Sequence, residues 1–211
     1  MVSRDLALAE LTGGWIHFAH LSCRQSVALI RQAKQRGVRV TCEVTPHHLA
    51  LTEEAIGNFN ADAKVNPPLR LEQDRLALIE GLVDGTIDCI ATDHAPHTDW
   101  EKDADFDSAP FGIPGLETAF GVCVTTLIKP GHLSWSQLVE KLSTNPWRIA
   151  GVNGHGLVKG QPATLTLVDP EATWVVDPHQ FASKGKHSPF AGWTLQGSVT
   201  TVIRRGKVMS P

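Results

Sequence analysis

Two rhythms of apolar positions alternate along the first 92 residues. Residues 4–11 show helical spacing that stops at Gly13-Gly14, and residues 15–21 are then apolar along most of their length, as in a strand covered on both faces. The alternation repeats. Val27, Ile30 and Ala33 mark a helix over residues 26–36, with Ser22 as the expected cap and Gly37 as the stop, and residues 38–44 are rich in β-branched side chains. A third helix over residues 71–83 ends at Asp84-Gly85 and leads into the apolar run 87–92. Strands that alternate with helices and lack a polar face predict a parallel sheet of α/β type.

Beyond Gly112 the pattern changes. Two helices are expected over residues 116–128 and 134–149, separated by Lys129-Pro-Gly131, with Ser134 and Gln137 forming a capping box at the second. Short β-rich runs at 164–168, 174–176 and 199–203, set among Gly and Pro, predict an antiparallel β appendage. The division falls near Asn153-Gly154, giving an α/β portion over residues 1–152 and a β-rich portion over 153–211.

Composition narrows the function classes. The chain has 211 residues, 42% of them hydrophobic and 19% charged, enough apolar content for a packed core. A complete eight-stranded α/β barrel typically needs about 250 residues. Nineteen Lys and Arg against 22 Asp and Glu give a net charge of −3, and no basic run exceeds Arg204-Arg205, which argues against nucleic acid as a partner. The longest apolar stretches are too short and interrupted to span a bilayer, so no membrane partner is expected. The first residues lack the layout of a signal peptide, which predicts a cytoplasmic location. Cys23, Cys42, Cys89 and Cys123 form no Cys-x-x-Cys pair and read as buried, reduced thiols.

The chemistry gathers where the strands end. In parallel α/β sheets, functional residues collect at the carboxyl ends of strands, because the loops there build one face. The first strand ends in His20, the second in Glu43 and His47-His48, and the third in Asp93-His94-Ala-Pro-His97. Imidazole and carboxylate suit zinc and similar divalent ions, so His20 and Asp93 are candidate metal ligands. A catalytic zinc normally takes three protein ligands and leaves a position open, so this pair needs complements. Asp93 is also the candidate general base, and the competing reading is a carboxylate that caps the following turn. Asn66-Pro-Pro-Leu-Arg70 is a rigid loop that can present an amide, with an ordinary surface turn as the plainer alternative. Ala109-Pro-Phe-Gly-Ile-Pro-Gly115 follows the acidic stretch 99–107 and reads as a mobile flap, where Phe111 and Gly112 offer packing and close backbone approach. His132, His155, His179 and His187 read as surface or β-domain residues, and Trp15, Trp147, Trp174 and Trp193 as packing.

At these residues the sequence resembles dihydroorotase, within the amidohydrolase superfamily, over nearly its whole length. The matching segments are His20-Leu-Ser, Cys42-Glu-Val-Thr-Pro-His-His-Leu49, Lys64-Val-Asn-Pro-Pro-Leu-Arg70, Thr92-Asp-His-Ala-Pro-His97, Ala109-Pro-Phe-Gly112 and Ser188-Pro-Phe-Ala-Gly-Trp193. The resemblance implies the last three strands of a TIM-like barrel followed by a small β domain. It implies that His20 and Asp93 bind metal, zinc, as one or two ions in the complete site. It further implies that Asp93 shuttles the proton and that Asn66, His97, Phe111 and Gly112 contact substrate. The reaction implied is the reversible, metal-dependent cyclisation of N-carbamoyl-L-aspartate to L-dihydroorotate in pyrimidine synthesis. Related cyclic amidases usually differ at Thr45-Pro-His-His48 and at Asn66. The family's first-strand His-x-His pair, its fourth-strand bridging residue and its fifth-strand histidine have no counterpart here. The resemblance is therefore to the C-terminal half, beginning near an internal Met and expected to be inefficient alone. An alternative is a non-catalytic chain that binds a partner such as aspartate transcarbamoylase, and a homo-oligomer is also compatible with the family.

Overall fold

The computed structural model of the chain describes residues 1–152 and 156–209. Its elements run α1 (Val2–Thr12), β1 (Ile16–Phe18), α2 (Arg24–Gln35), β2 (Val40–Val44), α3 (Pro46–Ala50), α4 (Glu72–Val83), β3 (Cys89–Ile90), α5 (Asp99–Lys102), α6 (Ala119–Cys123), α7 (Trp135–Val139), α8 (Asn145–Ile149), β4 (Leu165–Val175), β5 (Thr194–Arg204) and β6 (Lys207–Met209). α6 continues into a π-helical turn over Val124–Ile128, and another over Glu140–Thr144 joins α7 to α8. The two helices expected after Gly112 are present, the first starting at Ala119 rather than at 116.

β1, β2 and β3 form a parallel sheet in that order, with Ile16 opposite Val40 and Glu43 opposite Cys89. One face of β2, carrying Val40, Cys42 and Val44, is buried against Val27, Ile30, Leu78, Leu82 and Leu127 in the main core. The other face carries Thr41 and Glu43 and is only half-buried. β1 is shorter than its apolar run suggests and half-buried throughout, because it lies at the edge of the sheet with a neighbour on one side only.

One expected cap is corrected. The helix α2 begins after Cys23, not Ser22, and Cys23 supplies no side-chain cap. The carboxylate of Asp74, buried on α4, accepts from the backbone N–H of Arg24 at 2.9 Å instead. A carboxylate from a neighbouring helix thus meets one of the open donors that every helix start leaves, and it ties α2 to α4 in doing so. The capping box at Ser134 and Gln137 forms as expected.

The β appendage is a three-stranded antiparallel sheet, β4-β5-β6, with bulges between Leu167 and Val168 and between Asp169 and Thr173. The run 174–176 is the end of β4 and its continuation, not a separate strand. Gly197, at φ +85, lies where a Cβ would come within 2.9 Å of Val124 Cγ2, so its bare backbone is what lets β5 lie against the helix at Val124. A second core mixes both portions: Leu51, Val65, Leu69, Ile113 and Val122 pack with Val176, Phe181, Phe190 and Leu195. The expected boundary at Asn153-Gly154 and the surface role expected for His155 lie outside the described residues.

Candidate metal and substrate site at the strand ends

The strand ends are shaped by backbone first. After Phe18 the chain keeps pairing with β2 through Leu21 N–H to the Glu43 carbonyl at 2.9 Å, and between them His20 adopts φ +39. After Ile90 the pairing runs through Ala91 N–H to the Val44 carbonyl, and Asp93 then adopts φ +48. The two residues proposed from sequence as metal ligands are thus two of the four non-glycine residues with positive φ among those described. Histidine and aspartate are among the residue types that tolerate this region, at a cost of order 1–3 kcal/mol when the surroundings impose it. Strain of this kind clusters at binding and catalytic positions. His20 is half-buried and Asp93 exposed, with β2 between their strands.

Below them sits the pair from β2's end. Thr45 caps α3 by accepting from His48 N–H, and its hydroxyl lies 2.7 Å from His48 Nδ1, while His48 Nε2 lies 2.9 Å from the Pro67 carbonyl. A neutral ring satisfies both, with Nε2–H donating to the carbonyl and Nδ1 accepting from the hydroxyl. Burial pushes His48 down to about 4, opposed by the carbonyl of Pro67 and reinforced by the charge of His20. Burial, then the neighbouring His48 and His20, likewise pushes His47 far down. His47 Nε2 is buried without a hydrogen-bond partner among the described residues. The half-buried imidazole of His20, the exposed carboxylate of Asp93 and the buried, unpartnered Nε2 of His47, at the ends of three neighbouring strands, are donor types that fit a divalent ion of zinc type, although they do not meet as one cluster here.

The residues expected to contact substrate are joined by hydrogen bonds. His97 Nε2 lies 2.9 Å from the Phe111 carbonyl, and Gly112 N–H donates to the Lys64 carbonyl at 2.9 Å, two residues from Asn66. Gly112 has φ +129, and a Cβ there would sit 2.6 Å from the Ala95 carbonyl oxygen, so only glycine fits. His94 Nδ1 accepts from Gly115 N–H, and Ala95 N–H donates to the Ile113 carbonyl, stitching this loop to the end of β3. Asn66 and Phe111 are exposed. Asn66-Pro67 is a cis peptide.

Sequence reasoning missed what holds this loop. Lys64, only 7% exposed, donates to the carbonyls of Phe106, Asp107 and Ala109, and its ammonium lies 4.7 Å from the Phe111 ring centroid. Lys102, 3% exposed, donates to the carbonyls of Ala61 and Pro110, and burial lowers it to about 8. The segment read as a mobile flap is therefore anchored at two of its carbonyls, Ala109 and Pro110, and the stretch before it at two more, Phe106 and Asp107, by two buried ammonium groups, because a loop whose carbonyls turn inward must find donors. His187, half-buried in the β-rich portion, bonds Asp62 at 2.7 Å, and Trp15 is 54% exposed rather than packed. A lysine reads as surface in a sequence, and nothing short of the fold signals its burial.

The structure also brings together a group not proposed from sequence. His17, Glu43 and Cys89 place one potential ligand atom each within 4.8 Å of one another on the half-buried face of the parallel sheet. His17 Nε2 lies 3.2 Å from Glu43 Oε2, and His17 Nδ1 lies 2.8 Å from Thr41 Oγ1.

Comparison with known proteins gives three findings. Residues 5–209 match the model of the amidohydrolase family. Among curated relatives, the dihydroorotase of Desulforapulum autotrophicum is 51% identical over 99% of this chain and 49% of its own length, and that of Acetivibrio thermocellus is 53% identical over the same shares. The chain thus spans about half the length of the curated relatives it matches. Among solved structures, the L-hydantoinase (dihydropyrimidinase) of Arthrobacter aurescens superposes with a TM-score of 0.92 at 32% identity, over 98% of this chain and 47% of that one. An inactive dihydroorotase-like domain of a Chaetomium thermophilum CAD-like multifunctional protein shares the fold, with a TM-score of 0.73 at 24% identity, over 98% of this chain and 54% of that one.

Proposed function

The chain belongs to the amidohydrolase family, and from that membership we propose that it supplies the later half of a dihydroorotase active site. It would be the last three strands of the barrel, residues 1–152, followed by the β-rich domain over 153–211. The observation that carries this reading is the strand-end face, where His20 and Asp93 end β1 and β3 in left-handed turns and the segments bearing Asn66, His97 and Phe111-Gly112 are bonded to one another and to the end of β3. Identity of about half to dihydroorotases, against 32% to the hydantoinase, favours L-dihydroorotate and N-carbamoyl-L-aspartate as substrates over other cyclic amides. The same reading places the protein in pyrimidine synthesis and in the cytoplasm.

His20 and Asp93 would hold a divalent ion, zinc by donor type, with complementary ligands from the remainder of a complete enzyme. Such an ion, when bound, polarises the amide carbonyl and lowers the pKa of water. Asp93, exposed at the mouth of the face, takes the proton of the attacking water and returns it to the ring nitrogen as the C–N bond breaks; in the cyclisation direction the transfers reverse. Asn66 offers one amide donor and one acceptor to the ring, held in place because Val65 and Leu69 on either side are buried. Phe111 and Gly112 would meet the substrate through their backbone, held in position by the packing of Gly112 against Ala95 and by the bond from His97 to the Phe111 carbonyl.

The test is a chimera that joins the first half of the Desulforapulum autotrophicum dihydroorotase to this chain, assayed for dihydroorotate hydrolysis with metal content measured alongside. Turnover that Asp93→Asn abolishes is the expected result. A chimera that is folded and metal-loaded yet hydrolyses hydantoins or dihydropyrimidines in preference to dihydroorotate would overturn the reading. Association with aspartate transcarbamoylase or self-association stays secondary, because the face retains His20, Asp93, Asn66 and His97, which a purely docking module does not need.

A further inference from the structure

We propose that His17, Glu43 and Cys89 form a second divalent-cation site on the face of the parallel sheet, distinct from the strand-end pair and selective for ions of zinc type. The inference stands apart from the reading of the strand ends as a dihydroorotase site. Adjacent strands build it: His17 lies opposite Thr41 in the β1–β2 pairing, and Glu43 opposite Cys89 in the β2–β3 pairing, so the parallel register puts the three side chains on one face. The alternation along β2 sends Cys42 and Val44 into the main core and leaves Thr41 and Glu43 on this opposite face.

The donors are one imidazole nitrogen, one carboxylate oxygen and one sulfur, all within 4.8 Å of one another. In a tetrahedral zinc site with bonds of about 2.0–2.3 Å, ligand atoms stand about 3.3–3.8 Å apart. The His17–Glu43 separation of 3.2 Å is already close to that spacing, and the approach to the buried Cys89 sulfur closes by rotation of the His17 and Glu43 side chains, each about one-fifth exposed. A mixed N, O and S set disfavours magnesium and calcium, which take oxygen, and favours zinc or cobalt. His17 has the outer partner that a ligating imidazole normally has: Nδ1 is 2.8 Å from the Thr41 hydroxyl, which fixes the ring and leaves Nε2 for a cation. Three protein donors leave one position for water.

Burial, with the charges of Glu43 and Asp88, raises the Cys89 thiol to about 12, so without a cation it keeps its proton. Coordination forms the S–metal bond and breaks the S–H bond, and the proton leaves to solvent. Each cation bound at neutral pH therefore releases about one proton from this cysteine.

The experiment is a titration of the full, metal-stripped chain with cobalt(II), followed by absorbance and by proton release. The expected result is a near-ultraviolet thiolate-to-cobalt band with proton release. Cys89→Ser should abolish both, and Cys42→Ser, Cys123→Ser, His20→Gln and Asp93→Asn should leave the band in place. His17→Gln should weaken cobalt binding at least tenfold. Absence of the band in the wild-type chain, its survival in Cys89→Ser, or its loss in His20→Gln would overturn the proposal. Should Cys89→Ser fail to fold, the half-buried His17→Gln decides, since unchanged cobalt affinity in that variant is itself a refutation.

Discussion

The loop around Gly112 and the turns at His20 and Asp93 stand at the same end of the parallel sheet but are secured differently. The loop is tied from several sides: two buried lysines bond two of its carbonyls and two in the stretch before it, Gly112 N–H meets the Lys64 carbonyl, and His97 meets the Phe111 carbonyl. His20 and Asp93 hold a strained backbone, and no side-chain hydrogen bond or ion pair among the described residues secures either. The contrast shows that this chain fixes the loop proposed to meet substrate with its own residues, whereas the turns proposed to hold metal have no side-chain partner among the described residues.

The sharpest way to break the contrast is Gly112→Val. A Cβ 2.6 Å from the Ala95 carbonyl oxygen and φ +129 together are expected to cost about 3–4 kcal/mol in urea unfolding. A loss under about 1 kcal/mol would show that the loop is free to move.

Next comes acid. The folded value of His48, about 4, lies below the 6.5 of an unfolded chain, so between those two pH values the fold binds fewer protons than the unfolded state. Stability therefore falls as pH drops from 6.5 towards 4, by about 3 kcal/mol from this residue. His47 adds to the loss in the same direction. Unfolding curves at steps of pH should show this slope, and His48→Gln should flatten it.

Lys64→Met is expected to cost about 2 kcal/mol, because three loop carbonyls lose their donor. Lys102→Met should cost less at neutral pH, since it also removes a buried charge. The folded value of Lys102, about 8, lies below the unfolded 10.5, so the fold again binds fewer protons between them and stability rises with pH across that window. The rise should vanish in Lys102→Met. The smallest change is expected from His20→Gly and Asp93→Gly, which relieve a left-handed backbone and should shift stability by no more than about 1 kcal/mol, either way, while the same substitutions in the chimera should remove cation from the strand ends. Melting curves and elemental analysis check both halves of that statement.

How much of this was legible depended on whether the signal was local. The α/β alternation, the helices α2 and α4 and the placement of His20 after β1 and of Asp93 and His97 after β3 follow from periodicity and from residue types within short windows. What escaped was set by register and burial. His17, Glu43 and Cys89 meet only because of how three strands pair, and Asp74 reaches the start of α2 from 50 positions away. Lys64 and Lys102 read as solvated charges until the inward carbonyls they satisfy are seen.

The mixed core of loop and appendage bears on how this protein can be rebuilt. Phe181, Phe190 and Leu195 from the C-terminal portion pack with Leu51, Val65 and Leu69, which flank the segment carrying Asn66. The last sixty or so residues are therefore not an interchangeable module. Recombination between relatives at residue 152 would transplant half of one packed unit, whereas a crossover that carries residues 49–69 together with the β sheet would keep each foundation with the loop it supports.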